Sequence, residues 1–454
     1  MVAFKYLIIG AGPAGLAAAH RLAELGIKDF LVCEAQSHVG GLSASFKDDH
    51  GFVWDIGGHV LFSHYEYFDT LMTQLISAEN WLKHERESWV WIRDRFVPYP
   101  LQNNIRHLPR DDAWKCLSGL VELSRSAPQA APKSFAEWID ATFGKGLREI
   151  FMEPYNFKVW AHSLDQLSSE WIGERVAVTD LARVLHNYIY EKDDLSWGPN
   201  HVFQFPRHGG TGAIWRSLAD RVGPGKIRLG TEVLTIHARE KRVMVSGGET
   251  FEYESLLNTM PIDRLFSSIE DAPSEMRQIS QNMKYSSSNI VGVGIRGKIP
   301  EHLKTKCWMY FPESNCPFYR VTVFSNYSPN NVPEPGNQWS LMAEVSESPF
   351  KPVEQSRLLD DVIQGLRATN LIGPTTEVLS TWRHRAEYGY PTPFLGRDAA
   401  LRALHGYLEP LSIFSRGRFG GWKYEVANQD HSVMQGVEWV NRIVLNEPET
   451  TYHS

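Results

Sequence analysis

Residues 5–34 read KYLIIGAGPAGLAAAHRLAELGIKDFLVCE. The run from Lys5 to Ile9 is a short, unbroken apolar stretch of the kind that forms a buried parallel strand, and Leu16, Ala19, Leu22 and Ala23 follow at helical spacing until Gly26. A second apolar run, Phe30 to Cys33, ends on Glu34, 24 positions after Gly10. Gly10-x-Gly12-x-x-Gly15 thus lies between strand and helix, in a unit of about 30 residues closed by an acid, which is the setting of a dinucleotide-binding turn. Gly10 permits the tight turn, Gly12 lets a pyrophosphate reach the helix N-terminus, and Gly15 lets helix and strand pack closely. Glu34 is placed to bind a ribose hydroxyl. The fold class read from this stretch is α/β, with a Rossmann-like domain at its centre.

The rest of the composition narrows the function. With 454 residues, 43% apolar and 22% charged, the chain is long enough for about three folding units. Forty-six basic against 53 acidic side chains leave a net charge of −7, which disfavours nucleic acid as a partner. Four cysteines, Cys33, Cys116, Cys307 and Cys316, have no C-x-x-C spacing, so neither a disulfide scaffold nor a zinc site is expected and a reducing cytoplasm is the expected compartment. No stretch suits a membrane span, so no membrane partner is expected. Tyr6 to Ala19 superficially resembles a signal peptide, but Gly10, Gly12, Pro13 and Gly15 interrupt it.

Further along, Gly40-Gly41-Leu42-Ser43 and Trp54-Asp55-Ile56-Gly57-Gly58-His59 flank a run suited to a small hairpin. From Glu66 to about Asn200 helical patterning dominates, as in Phe68, Leu71, Met72 and Leu75 or Trp114, Leu117, Leu120 and Val121, with an internal loop at Ala127 to Lys133. Strands are expected at Val233 to His237, Val243 to Val245 and Leu256 to Thr259. A second, antiparallel set is expected at Ile290 to Arg296, Met309 to Phe311, Tyr319 to Phe324 and Ser340 to Val345. A helix over Glu354 to Thr369, a strand near Ile413 and a helix over Ser432 to Leu445 complete the reading. The expected domains are a discontinuous cofactor-binding unit (1–66, 206–263 and 384–454), a helical substrate unit (67–205) and an antiparallel sheet unit with a helix (264–383).

The paired glycine loops resemble those of the amine-oxidase type of flavoprotein, in which they let backbone pass close to an extended FAD. A narrower resemblance rests on Gly57-Gly58-His59-Val60-Leu61-Phe62-Ser63-His64-Tyr65 and on blocks that follow in order: Val97 to Asn104, Pro154 to Trp160, Gly173 to Val176, Phe205 to Gly212, Cys316 to Arg320, Gly389 to Pro393 and Asn428 to Ser432. Over nearly its whole length the chain resembles the UDP-galactopyranose mutases, most closely their eukaryotic type. The resemblance implies an isomerase that interconverts UDP-galactopyranose and UDP-galactofuranose through a flavin N5–sugar adduct, with reduced FAD, no net redox change and NADPH or NADH as transient reductant. Such an activity would serve cell-wall polysaccharide synthesis. Other readings are a mutase for UDP-arabinopyranose or UDP-N-acetylgalactosamine, and an oxidase of amines or protoporphyrinogen.

The same resemblance assigns residues. Arg175 and Arg320 match the arginines that hold the leaving diphosphate, where planar, permanently charged donors are suited to phosphate. Tyr310, Tyr390, Tyr424 and Asn428 add hydrogen bonds to it; Tyr99, Leu101, Gln102, Phe151, Asn156 and Trp160 match the uridine pocket, and Asn200 joins the substrate set. Trp308 matches an aromatic gate beside the sugar. On the cofactor side the set is Gly10, Gly12, Gly15, Glu34, Gly40, Gly41, Leu42, Ser43, Gly58, His59, His64, Val233, Arg418, Asn428, Gln429 and Ser432. His59 would approach the flavin ring, and Arg418 would favour its anionic reduced form. Leu101 stands where fungal members usually have phenylalanine, Ala427 replaces a glycine, and Pro329 to Gln338 is shorter than the fungal insertion. His59 and His64 lie five apart with no third ligand in sequence, so no metal is expected.

Overall fold

The computed structural model describes residues 2–126, 130–195 and 201–453. Two seven-stranded sheets organise the chain. In the first, Val2–Ile9 pairs in parallel with Phe30–Cys33 on one side and with Thr250–Asn258 on the other. Val233–His237 and Arg242–Val245 extend it antiparallel, and Ile413–Ser415 pairs with the end of Thr250–Asn258, so the chain's last third returns to the sheet that holds its first strand. Alternate side chains of the central strand enter different cores, as the two-residue period requires. Tyr6 and Ile8 face the helices Pro13–Glu24 and Gln429–Leu445, while Leu7 and Ile9 face Ile262–Ser268 and Arg397–Leu408.

The hairpin expected between the glycine loops is present as Ser45–Lys47 and Val53–Asp55. The second sheet runs in the order Val378–Pro391, Tyr285–Arg296, Gln338–Glu347, Arg320–Val323, Trp308–Tyr310, Ser88–Ile92, Arg95–Pro98. Neighbouring pairs are antiparallel except Trp308–Tyr310 with Ser88–Ile92.

Several features depart from the sequence reading, among them the strand Trp81–Glu85, which pairs with Val202–Pro206 within a stretch expected to be helical. Ser88–Ile92 and Arg95–Pro98 form a hairpin within a stretch expected to be helical. Its turn residues, Arg93 and Asp94, both have positive φ, 52° and 56°. Such a turn normally announces itself with Asn-Gly or Asp-Gly, and here that signal is absent. The 14-residue strand Val378–Pro391 was also not anticipated; it runs across residue 384, the expected start of a cofactor-unit segment. Its exposed face carries Arg383, Arg385 and Glu387, which alternate with Trp382, His384, Ala386 and Tyr388 at the two-residue period of a half-buried strand. The expected loop at Ala127 to Lys133 lies partly, and Asn200 wholly, outside the described residues.

The first and last helices touch backbone to backbone. A Cβ built on Gly436 would lie 2.1 Å from the carbonyl oxygen of Ala14. Gly436→Ala is therefore expected to destabilise by about 1–3 kcal/mol, the usual cost of overpacking. Gly406→Ala, in a helix with nothing within 4 Å of the new Cβ, should be neutral or stabilising, since alanine is the better helix former. Thermal melts of the two variants check both expectations.

Candidate active site

A cavity of about 1060 Å³ runs from the first glycine loop to the second sheet. Ligand pockets usually span roughly 300–1,000 Å³, which puts this one at the top of that range. At its nucleotide end, Gly10 has φ +99°, and a Cβ on Gly15 would fall 1.9 Å from the Gly10 carbonyl oxygen. Gly15 is thus a packing glycine, whereas Gly10 and Gly12 line the cavity. Gly41 lies against Gly12, with room of only 3.3 Å from a notional Cβ to the Gly12 Cα, and Gly40 adopts φ +103° to begin that turn. Glu34 lines the cavity and accepts from the amides of Ala11 at 2.7 Å and Gln36 at 2.8 Å, which fixes its carboxylate beside the turn. Leu42, Ser43 and Val233 complete this wall.

Two helix N-termini open on the cavity, through Gly12 and Pro13 of the first and through Asn428, Gln429 and Ser432 of the last. Their unpaired amides and dipoles make a site for a pyrophosphate. Arg418 donates to the carbonyls of Gly389, at 3.1 Å, and Ala427, at 3.2 Å, so Ala427 serves through its backbone. Gly57, Gly58 and His59 line the next section. Burial lowers His59 to about 4, against the opposing influence of Glu344, so the imidazole is neutral near pH 7. His59 Nδ1 and the Gln429 side-chain oxygen are buried without a partner. A glycine cradle, two helix N-termini and these orphaned polar atoms fit an FAD.

His64 bonds Asp430 through Nδ1 at 2.7 Å. The side-chain ligand atoms of His64, Asp430 and His431 lie within 4.8 Å of one another. His59 is not part of that group.

At the other end of the cavity stand Arg175, Arg320, Tyr99, Tyr310, Tyr390 and Tyr424. Arg175 donates to the Glu425 carbonyl and lies over the Tyr424 ring. Burial raises the phenols of Tyr310 and Tyr424, which keeps them protonated and able to donate. Trp308 does not line the cavity; it is buried and donates from Nε1 to the Tyr310 hydroxyl at 2.6 Å. Leu101, Gln102, Phe151, Asn156 and Trp160 are likewise not among the residues that line the cavity. Leu101 is in the helical core, Gln102 donates to the Ala177 carbonyl at 2.6 Å, and Asn156 donates to the Met152 carbonyl. Phe151 stacks on Tyr155, and Trp160 packs on Tyr390 and Tyr424.

The lining residues that escaped sequence reasoning include Glu344, Arg86 and Asp430. Glu344 is buried and forms a two-bond ion pair with Arg320, at 2.7 and 2.8 Å. A lone acid inside the apolar run Leu341 to Val345 was the available signal, because charges are rarely buried unpaired. Arg86 lies over the rings of Tyr99 and Trp308, and Asp430 holds His64.

A crystal structure of reduced UDP-galactopyranose mutase matches with a TM-score of 0.96 and 47% identity, covering 99% of this chain and 96% of that one. The sequence profile of the flavin-containing amine oxidoreductases matches residues 13–407. The chain belongs to this family, in its UDP-galactopyranose mutase branch. More distant members are the flavin-containing amine oxidases A of dog and cattle, 22% and 23% identical over 330 residues, 68% of this chain. That match spans 57% of the length of either amine oxidase. An Exiguobacterium structure of the protoporphyrinogen oxidase type shares the fold, with a TM-score of 0.75 and 17% identity over 98% of this chain and 99% of that one. FAD is the cofactor of this family, and the chain's cradle fits it. Among the described residues no helix is long and apolar enough to cross a membrane.

Asp55 locks the loops beneath this cavity. Fully buried, it accepts from Ser45 Oγ, from Thr211 Oγ1 at 2.7 Å and from the Thr211 amide. Burial pushes its carboxyl up to about 6 in spite of these bonds. A carboxyl whose folded pKa lies above its unfolded value, about 3.9, binds its proton more tightly in the folded state. Its contribution to stability is therefore largest at low pH and is lost as pH rises from about 4 to about 6. The difference in melting temperature between wild type and Asp55→Asn should shrink across that window; a constant difference would contradict the assignment.

Proposed function

We propose that this protein is a flavin-dependent mutase that interconverts UDP-galactopyranose and UDP-galactofuranose, with reduced FAD and no net oxidation. The observation that carries this reading is the meeting of Arg175 and Arg320, with the phenols of Tyr310, Tyr390 and Tyr424, in the same cavity as the dinucleotide cradle. An amine oxidase has no use for two arginines there, whereas a nucleoside diphosphate leaving group requires them. Bound reduced FAD supplies the nucleophilic nitrogen for the anomeric carbon.

The chain's own residues do the rest. Arg175 and Arg320 neutralise the diphosphate and retain it after the anomeric bond breaks, so that it can return to either ring form. Tyr310, Tyr424 and Tyr390 donate hydrogen bonds to the same oxygens, and Asn428 lies where cofactor and substrate adjoin. Tyr99 and the aromatic layer of Phe151, Tyr155 and Trp160 behind it support the uridine end and exclude water from an electrophilic sugar. His59, neutral near pH 7, adjoins the flavin end without adding charge to it. The reading carries with it the division into cofactor, helical and sheet units, with Ser88–Ile92 and Arg95–Pro98 given to the sheet unit, as well as NAD(P)H as transient reductant, a cytoplasmic location and a role in cell-wall polysaccharide synthesis.

Purified protein should be yellow and inactive while oxidised. Dithionite should switch on conversion of UDP-galactofuranose to UDP-galactopyranose, resolved by chromatography, without stoichiometric consumption of reductant. Oxygen uptake on an amine with no sugar isomerisation would favour an oxidase, and much higher kcat/KM on UDP-arabinose would displace galactose while leaving the mutase chemistry. Arg175→Ala should lower kcat/KM by about 100-fold, since a charge-assisted contact contributes roughly 1.5–3 kcal/mol. Arg320→Ala should lose at least as much and also lower the melting temperature, because it leaves the buried Glu344 carboxylate without its counter-ion.

A further inference from the structure

Glu344 lies in the strand Gln338–Glu347, in register with Arg320 on one neighbouring strand and Ile290 on the other. Its carboxylate lines the cavity and is 2% exposed. One oxygen, Oε1, accepts from Arg320 Nε at 2.7 Å and from the Gly58 amide at 3.1 Å. The other, Oε2, accepts from the second terminal nitrogen of Arg320 at 2.8 Å and from the Tyr319 hydroxyl at 2.8 Å. A carboxylate has about four lone-pair sites, and these four donors fill them.

Two consequences follow. The Nε edge of the Arg320 guanidinium is committed to Glu344, so an anion in the cavity meets the remaining terminal nitrogen in a fixed orientation. The Gly57–Gly58–His59 loop and Arg320 also hang on the same oxygen. There is little slack around it: a Cβ on Gly58 would lie 2.8 Å from Thr322 Oγ1 and 3.5 Å from Glu344 Oε1. A displacement of either partner must therefore be felt by the other. Neutralising Arg320 requires only a carboxylate nearby; the bond to Gly58 adds something that charge balance does not require.

We propose that Glu344 is a positioning residue that couples the flavin-side loop Gly57–His59 to the diphosphate-side Arg320, so that the two ends of the site respond to each other. This rests on the assignment of Arg320 to the diphosphate.

The test uses FAD-loaded protein and UDP alone. Saturating UDP should perturb the flavin absorbance spectrum of the wild type. Glu344→Asp keeps the charge but is one methylene too short to hold both Gly58 and Arg320. It should still bind UDP by calorimetry, within about threefold of wild type, while losing most of the flavin perturbation and at least about tenfold in kcat. Glu344→Gln removes the charge and should in addition shift the flavin midpoint potential to more positive values, a shift absent from Glu344→Asp. Wild-type kcat and an intact perturbation in Glu344→Asp would overturn the coupling, because a bare counter-ion would then suffice. A wild type that binds UDP with no change in flavin absorbance would overturn it too. Absence of UDP binding to the wild type would instead overturn the diphosphate assignment. Should neither carboxyl variant fold, Tyr319→Phe removes one of the four donors without changing the charge; it should weaken both the perturbation and kcat, and an unchanged pair of values would refute the proposal.

Discussion

The cofactor end of this protein depends on how closely backbone can approach the first helix. Gly15 permits the helix Pro13–Glu24 to lie on the Gly10 carbonyl, and Gly436 permits the last helix to lie on the Ala14 carbonyl. Any side chain at either position would bring its Cβ within 2.1 Å of a carbonyl oxygen, too close for the contact to persist. The second contact joins residues more than 400 positions apart, and through it the N-termini of both helices open on one cavity. Two partial positive charges then face the same volume, which is what a pyrophosphate requires.

The substrate end is governed by charge. A guanidinium withdrawn from water is costly unless it is paired and its hydrogen bonds are met. The protein meets that condition at Arg320 with Glu344, and near the rim at Arg397 with Glu425, whose main-chain carbonyl also receives Arg175. Burial alone would raise the Glu344 carboxyl, yet Arg320, the Tyr319 hydroxyl and the Gly58 amide hold it below its usual range, so the pair stays ionised. A fully solvated arginine would bind phosphate less selectively, since water and salt screen it. Holding the guanidinium by one edge leaves the other oriented and available.

Much of the site was legible because it is made of local requirements. The turn at Gly10, the close packing at Gly15, the acid at Glu34 and the paired loops at Gly40 and Gly57 each arise from a few consecutive residues whose backbone geometry or spacing admits little else. The hairpin turn at Arg93 and Asp94 was not legible, since both residues adopt a conformation usually left to glycine or asparagine. The strand Val378–Pro391, by contrast, carries its own signal, because its charges alternate with Trp382, Ala386 and Tyr388 at the two-residue period of a half-buried strand.

By itself the sequence determined the dinucleotide-binding fold and the family, because these reside in motifs whose meaning does not depend on the rest of the chain. Only the tertiary structure decided which assigned residues reach the cavity. Tyr99 lines it, whereas Leu101, Gln102, Phe151, Asn156, Trp160 and Trp308 are not among its lining residues. The tertiary structure also supplied the partners of the buried charges, giving Glu344 to Arg320 and Asp430 to His64. The physical reason is that a buried charge must be balanced by whatever the fold brings within hydrogen-bonding distance, and that distance is set by the packing of strands and helices remote from one another in the chain.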